Sequence, residues 1–121
     1  MRPLSPNHIK TFLQRFENFN DAELRSLEVH SATSISISMA VQDSARAFDW
    51  VTITLVFEGV SNAKLLEANK LSFVDMSAGI SLVHEENSFA FCLGSYKDTQ
   101  AIKTATLFVI SDSLKFQESS F

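Results

Sequence analysis

Residues 34–41 alternate between a small side chain and a large apolar one, and this period of two constrains the fold more than any other feature. The large apolar positions are Ile35, Ile37, Met39 and Val41. Successive side chains of a β-strand point to opposite faces, so the pattern predicts a strand with one buried and one solvated face. A single strand cannot cover its own apolar face. The segment must therefore belong to a sheet that packs against a second layer.

The second layer is predicted at the N-terminus. Ser5 is a suitable N-cap, and Pro6 follows at the first helical position, where its missing N–H has no cost. Large apolar residues then recur at three- and four-residue steps, which predicts an amphipathic helix over about residues 6–19. These residues are Ile9, Phe12, Leu13, Phe16 and Phe19. The resulting stripe needs a flat apolar partner, and a sheet supplies one.

Further segments with period-two or β-branched patterns predict the rest of that sheet. They are residues 27–30, 50–57, 80–85, 88–96 and 104–111, with 114–116 continuing the last of them. Glu58-Gly59 is expected to end the strand at 50–57, and Glu86-Asn87 is expected to form a two-residue hairpin loop. Residues 60–79 have the least clear secondary-structure pattern. They favour a short strand at 64–66 followed by an irregular or helical crossover.

The length fixes the number of domains. A chain of 121 residues fits a single domain, residues 1–121, and buries about two-thirds of its surface on folding. The predicted class is α+β. An N-terminal amphipathic helix packs on a curved antiparallel sheet of about six or seven strands that spans about residues 24–118.

The predicted central strands are apolar on both faces. Eleven Phe accompany one Trp and one Tyr, and Phe has no polar tip, so most of these rings must lie in a core or an interface. The second face therefore needs cover. Either the crossover region and the C-terminal tail provide it, or a second subunit does.

Charge and cysteine content exclude several function classes. The net charge of −4 disfavours binding to nucleic acid and to anionic lipid. No apolar run approaches the roughly 20 residues that cross a bilayer. Cys92 is the single cysteine, so no intramolecular disulfide forms. We therefore expect a cytoplasmic protein that binds neither nucleic acid nor membrane.

No catalytic, cofactor-binding or metal-binding residue is assigned. The histidines lack the spacing of a zinc site, and Cys92 lies mid-strand between Phe91 and Leu93, as a small buried hydrophobe does. Four residues are candidates for binding: the acidic pair at the helix–strand junction, a tryptophan beside a polar loop, and a histidine on a predicted strand. They are Asp21, Glu23, Trp50 and His84. The acidic pair also suits a polar turn that starts a strand.

Two short sequence segments resemble those of a known group of proteins. Residues 19–24 read Phe-Asn-Asp-Ala-Glu-Leu before the first strand, and residues 55–60 read Leu-Val-Phe-Glu-Gly-Val. This is similar to small uncharacterised bacterial α+β domains, some of which are grouped with immunity proteins of toxin systems. The resemblance implies no enzyme activity and carries over no functional residue.

Two hypotheses follow. The first is a non-catalytic interaction or assembly domain that self-associates or binds a protein partner, through an apolar sheet face or a sheet edge. An immunity-type protein that blocks a basic toxin is a narrower form of it. The second is a small-molecule or enzymatic pocket between helix and sheet, lined by Phe, with Asp21, Glu23 or His84 as its polar groups.

Overall fold

The computed structural model describes residues 1–121, except for the side chain of Ala68. Seven strands form one antiparallel sheet, which confirms the α+β class and the antiparallel arrangement. The strands are β1 (Arg2–Pro3), β2 (Glu23–Ser31), β3 (Ser34–Asp43), β4 (Asp49–Lys64), β5 (Ile80–Glu85), β6 (Ser88–Leu93) and β7 (Phe108–Ser120). The helices are α1 (Ile9–Arg15) and α2 (Thr99–Ile102), and 3-10 turns cover Pro6–His8, Glu17–Phe19, Ser44–Arg46 and Ala68–Phe73. The strand order is β2-β3-β4-β7-β6-β5, and β1 pairs separately with β7.

The N-terminal helix is shorter than predicted. The apolar pattern indicates one helix over residues 6–19, whereas α1 ends at Arg15. Residues 17–19 have φ angles of 52°, 57° and 60°, a left-handed conformation that a right-handed helix does not contain. The reversal still leaves Phe16 and Phe19 fully buried. The spacing of the apolar residues therefore predicted which rings are buried but not where the helix ends.

The helix and the sheet enclose a core of aromatic and aliphatic side chains. The alternating apolar residues of β3 are all buried and stand in register with those of β4, as the pattern predicts. The ring of Phe12 lies 5.2 Å from the ring of Phe16 and 4.9 Å from the ring of Phe116 on β7. Each such side chain contributes roughly 1.5–3 kcal/mol on burial. Phe packing between the two layers is therefore a large contribution to stability.

Strand β4 continues past the point where it was expected to end. It runs to Lys64 because Gly59 adopts a φ of +67° and forms an irregularity inside the strand rather than a turn. A Cβ at this position would lie 2.7 Å from a carboxylate oxygen of Asp112 on β7. A register shift between β4 and β7 follows at residues 60–62. The glycine thus permits the local bend that a β-bulge introduces.

The part of the second apolar face that β6 and β7 form is covered by the chain itself. Ala90 and Cys92 of β6 pack with Phe108 of β7 against Ile102 and Ala105, which belong to a segment at residues 94–107. Strand β6 therefore ends before 94 and β7 begins after 107, so the strands predicted at 88–96 and 104–111 are corrected. The crossover region and the C-terminal tail were the cover expected from within the chain. Over β6 and β7 the cover comes instead from residues 94–107, so that expectation is wrong for this half of the sheet.

Candidate interaction site

The two outer strands of the sheet, β2 and β5, differ in how their edges are covered. The 3-10 turn at residues 68–73 lies against β2. β5 pairs with β6 on one side, and none of the described main-chain hydrogen bonds links residues 80–85 to another element on the other side. An unpaired strand edge presents N–H and C=O groups that an incoming strand completes. The open edge of β5 is therefore the candidate site.

The register of the β5–β6 hairpin shows which groups of β5 point outward. Residues 86–87 form the predicted two-residue loop, with φ angles of 51° and 63°. The N–H of Gly94 donates to the carbonyl of Gly79 at 2.8 Å. Bonding alternates along an antiparallel pair, so the odd-numbered residues of β5 bond to β6 and the even-numbered ones face away from it. The outward-facing residues are Ile80, Leu82 and His84.

A groove of about 510 Å³ runs along this edge. One wall comes from the end of α1 and the turn after it, and the other from the chain that follows β6. The wall residues are Leu13, Asn18 and Asn20 on one side and Ser95, Tyr96 and Lys97 on the other. β5 lines the groove with residues 80–83 only. The edge is therefore walled near the start of β5 and bare near the hairpin loop.

Local contacts hold both walls in place. The hydroxyl of Ser81 donates to the carbonyl of Gly94 at 2.6 Å and accepts from the N–H of Tyr96 at 2.8 Å. On the other side, a Cβ added to Gly79 would lie 2.0 Å from the carbonyl oxygen of Asn18, and the φ of Gly79 is +69°. Only glycine fits this approach. The groove is thus preformed, which lowers the ordering cost of binding.

Two side chains of the β5–β6 hairpin that could carry chemistry, His84 and Cys92, are packed against their neighbours. The ring of His84 is half-buried and meets the ring of Phe89 edge-on, with centroids 4.7 Å apart. Cys92 is fully buried, and burial raises the pKa of its thiol to about 11, against a smaller opposing effect of hydrogen bonding with Ser81. The thiol is protonated at neutral pH and therefore unreactive. The prediction that Cys92 is a small buried hydrophobe is confirmed.

The four predicted binding residues are not brought together. Asp21 and Glu23 are exposed where β2 begins, and His84 lies on β5, the opposite outer strand. Trp50 is exposed near the start of β4. None of the described grooves is lined by more than one of these four.

Sequence reasoning missed an ionic cluster that joins α1 to β3 and β7. The guanidinium of Arg15 donates two bonds to the carboxylate of Asp43, at 2.9 and 2.7 Å, and lies 2.8 Å from a carboxylate oxygen of Glu118. The arginine holds the pKa of Asp43 below its usual value, and the hydrogen bond to Asp43 in turn raises the pKa of Arg15. Asp43 continues the odd-numbered parity of the apolar residues on β3, which is the signal that could have predicted its burial. The bidentate pair of Arg15 and Asp43 fixes α1 to β3, and we call this pair the clamp.

A second exposed feature lies at the far end of the sheet. Trp50 is 42% exposed, its ring is 5.8 Å from the ring of Phe121, and the guanidinium of Arg25 lies 4.9 Å from that ring. Tryptophan and arginine are enriched among residues that dominate protein interfaces. Trp50, one of the four predicted candidates for binding, is therefore exposed.

Known proteins offer no guide to the chain. No protein-family model, curated protein or solved structure matches it. No group of three or more His, Cys, Asp or Glu suited to a metal ion occurs in the described part of the chain. None of its described helices has the length and apolar character to cross a bilayer. The open edge of β5 is the feature on which a function can be argued.

Proposed function

We propose that this chain is a non-catalytic protein-interaction domain that assembles by adding a strand to the free edge of β5. The observation that carries the proposal is the row of outward main-chain groups at residues 80, 82 and 84, next to a groove with fixed walls. In strand addition, main-chain hydrogen bonds give affinity and the alternate side chains give specificity. A preformed edge suits this mode because little ordering remains to be done on binding.

The packing between α1 and the sheet supports this proposal over a ligand pocket in the same place. The rings of Phe12, Phe16, Phe19 and Phe116 pack together there, with neighbouring centroids 4.9–5.8 Å apart. A groove of about 330 Å³ borders Phe12 and Phe116, but none of the three polar groups assigned to the pocket lines it. A small-molecule site needs a cavity of several hundred Å³ with convergent polar groups. Asp21, Glu23 and His84, the polar groups assigned to that pocket, lie on opposite outer strands or just before them.

The partner class follows from the surface and the sequence. The proposal covers a homo-oligomer and a protein partner, and the net charge of −4 would suit a basic one through charge complementarity. If the resemblance to bacterial domains that include immunity proteins holds, such a partner would be a toxin. A cytoplasmic location belongs to the proposal, and the single unpaired Cys92 supports it.

One pair of variants at His84 tests strand addition. Proline at this position removes the outward N–H without removing a bond to β6, whereas alanine keeps the N–H and removes only the ring. Binding is measured by fluorescence anisotropy with a panel of labelled eight-residue peptides that alternate β-branched and polar residues. We expect His84→Ala to bind like the unmodified chain and His84→Pro to bind about tenfold more weakly. Circular dichroism confirms that both variants fold.

Two results would count against the proposal. Equal binding by the proline and alanine variants would place the peptide elsewhere on the surface. Failure of every peptide to bind, together with a monomeric chain at millimolar concentration, would leave the β5 edge without a function.

A further inference from the structure

The outward groups of β5 are arranged symmetrically about its middle. Leu82 lies at the centre, with Ile80 on one side and His84 on the other. If a second β5 approaches antiparallel with its own Leu82 opposite, Ile80 of each copy faces His84 of the other. Every outward residue then has a hydrogen-bonded partner, and each pair exchanges two N–H···O=C bonds. No other antiparallel register of two such strands satisfies all three positions.

The charges along the edge are complementary in the antiparallel direction. Lys97 stands beside the start of β5, where Tyr96 bonds to Ser81, and Glu86 stands at its end next to Glu85, whose carboxylate accepts two bonds from Thr99. Antiparallel pairing brings the lysine of one copy to the acidic end of the other, twice in a symmetric dimer. Parallel pairing would oppose like charges, which disfavours it.

We infer that the strand added at the β5 edge is β5 of a second copy of this chain, antiparallel, with a twofold axis at Leu82. The inference rests on the proposed strand addition and names its partner. The product is a closed dimer with one continuous sheet, because a twofold interface uses the same edge of both copies. The other outer strand, β2, contacts the 3-10 turn at residues 68–73 and has two irregularities in its register, and such irregularities disfavour further edge pairing.

Sedimentation velocity over a concentration series tests the inference with the full chain. We expect a monomer–dimer equilibrium that is weakened about tenfold or more in His84→Pro and unchanged within about threefold in His84→Ala. Lys97→Glu and Glu86→Lys should each weaken the dimer at low salt, and the double variant should restore it. Lys10→Glu, on the solvent side of α1, is the matched control and should leave dimerisation unchanged.

Cross-linking tests the register separately. Cα atoms of a hydrogen-bonded antiparallel pair are about 5.5 Å apart, within the range that a disulfide spans. Leu82 is 4% exposed and belongs to the core, so Leu82→Cys should form a self-disulfide under mild oxidation only when two β5 edges pair and bring the two side chains together. His84→Cys should not, because position 84 faces position 80. The native Cys92 lies on β6, one strand in from the edge, and has no partner across the interface.

The outcomes separate the inference from the proposed function. A chain that stays monomeric at millimolar concentration but binds strand peptides at β5 overturns the inference and leaves the proposed function standing. A dimer that forms equally in the alanine and proline variants, or a cross-link at position 84 without one at 82, also overturns the inference. A monomer that binds no strand overturns both.

Discussion

Replacing Arg15 by Met is expected to destabilise the protein by about 3 kcal/mol. The substitution keeps an unbranched apolar stem but removes the guanidinium, and it leaves the carboxylate of Asp43 buried without its bidentate partner. Asp43 has no exposed side-chain surface, and Arg15 has 28%. Removing one member of a buried ion pair costs about 3–5 kcal/mol.

The lower end of that range applies because other groups remain near the carboxylate. Asp43 still accepts the N–H of Ala45 at 2.9 Å, and the guanidinium of Arg46 lies 3.6 Å away. A loss of about 3 kcal/mol corresponds to a fall in Tm of about 10 °C or more for a domain of this size. Arg25→Met is the matched control, since Arg25 and Glu23 form an exposed pair at 3.4 Å. It should stay within about 1 kcal/mol.

The pH dependence gives this prediction its sharpest form. The folded pKa of Asp43 lies below its ordinary value of 3.8, so the contribution of the pair is complete above that value and is lost as pH falls through the folded pKa. Urea unfolding from pH 7 to pH 3 should show a gap between the unmodified chain and Arg15→Met that narrows in acid. A gap below about 1 kcal/mol at pH 7, or one that does not change with pH, would refute the clamp.

Three further predictions concern the groove and the covered face. Gly79→Ala should cost about 3 kcal/mol or more in urea unfolding, since its Cβ would clash with the Asn18 carbonyl at a positive φ, and a neutral result would contradict the close approach. The Cys92 thiol should react with a disulfide reagent at pH 8 only as fast as the chain unfolds, and rapid labelling of the folded chain would show the burial to be wrong. Ile102→Ala should lose about 3 kcal/mol because this fully buried residue anchors the cover over β6, whereas Thr104→Ala nearby should lose far less.

The sequence predicted local structure correctly where the spacing of the apolar residues matches the pattern of buried residues. The alternating apolar residues of β3 face the core as predicted. The loop at residues 86–87 was predictable because a strand pattern ends on one side of it and begins on the other. The end of α1 was missed because three residues in left-handed conformation follow Arg15, and nothing in their side chains requires that reversal. Only the packing of Phe16 and Phe19 against the sheet explains it.

The strand order lay beyond local reasoning. β7 inserts between β4 and β6, so the last strand of the chain separates strands that precede it. This non-local pairing makes β5 an outer strand, although residues 80–85 read like any interior strand. The cover at residues 94–107 was missed for a related reason: Ala105 and Leu107 have the parity of a strand but lie in a connecting segment. Consequently, neither the open edge nor its groove was visible in the sequence.

Hydrogen exchange of individual β5 amides, followed by NMR as the concentration of the chain is raised, tests strand pairing most directly. The N–H groups of residues 81, 83 and 85 bond to β6 and should be protected at every concentration. Those of Leu82 and His84 should exchange rapidly at low micromolar concentration and become protected at high concentration. Rapid exchange at Leu82 and His84 under all conditions, while their odd-numbered neighbours stay protected, would contradict self-assembly through this edge.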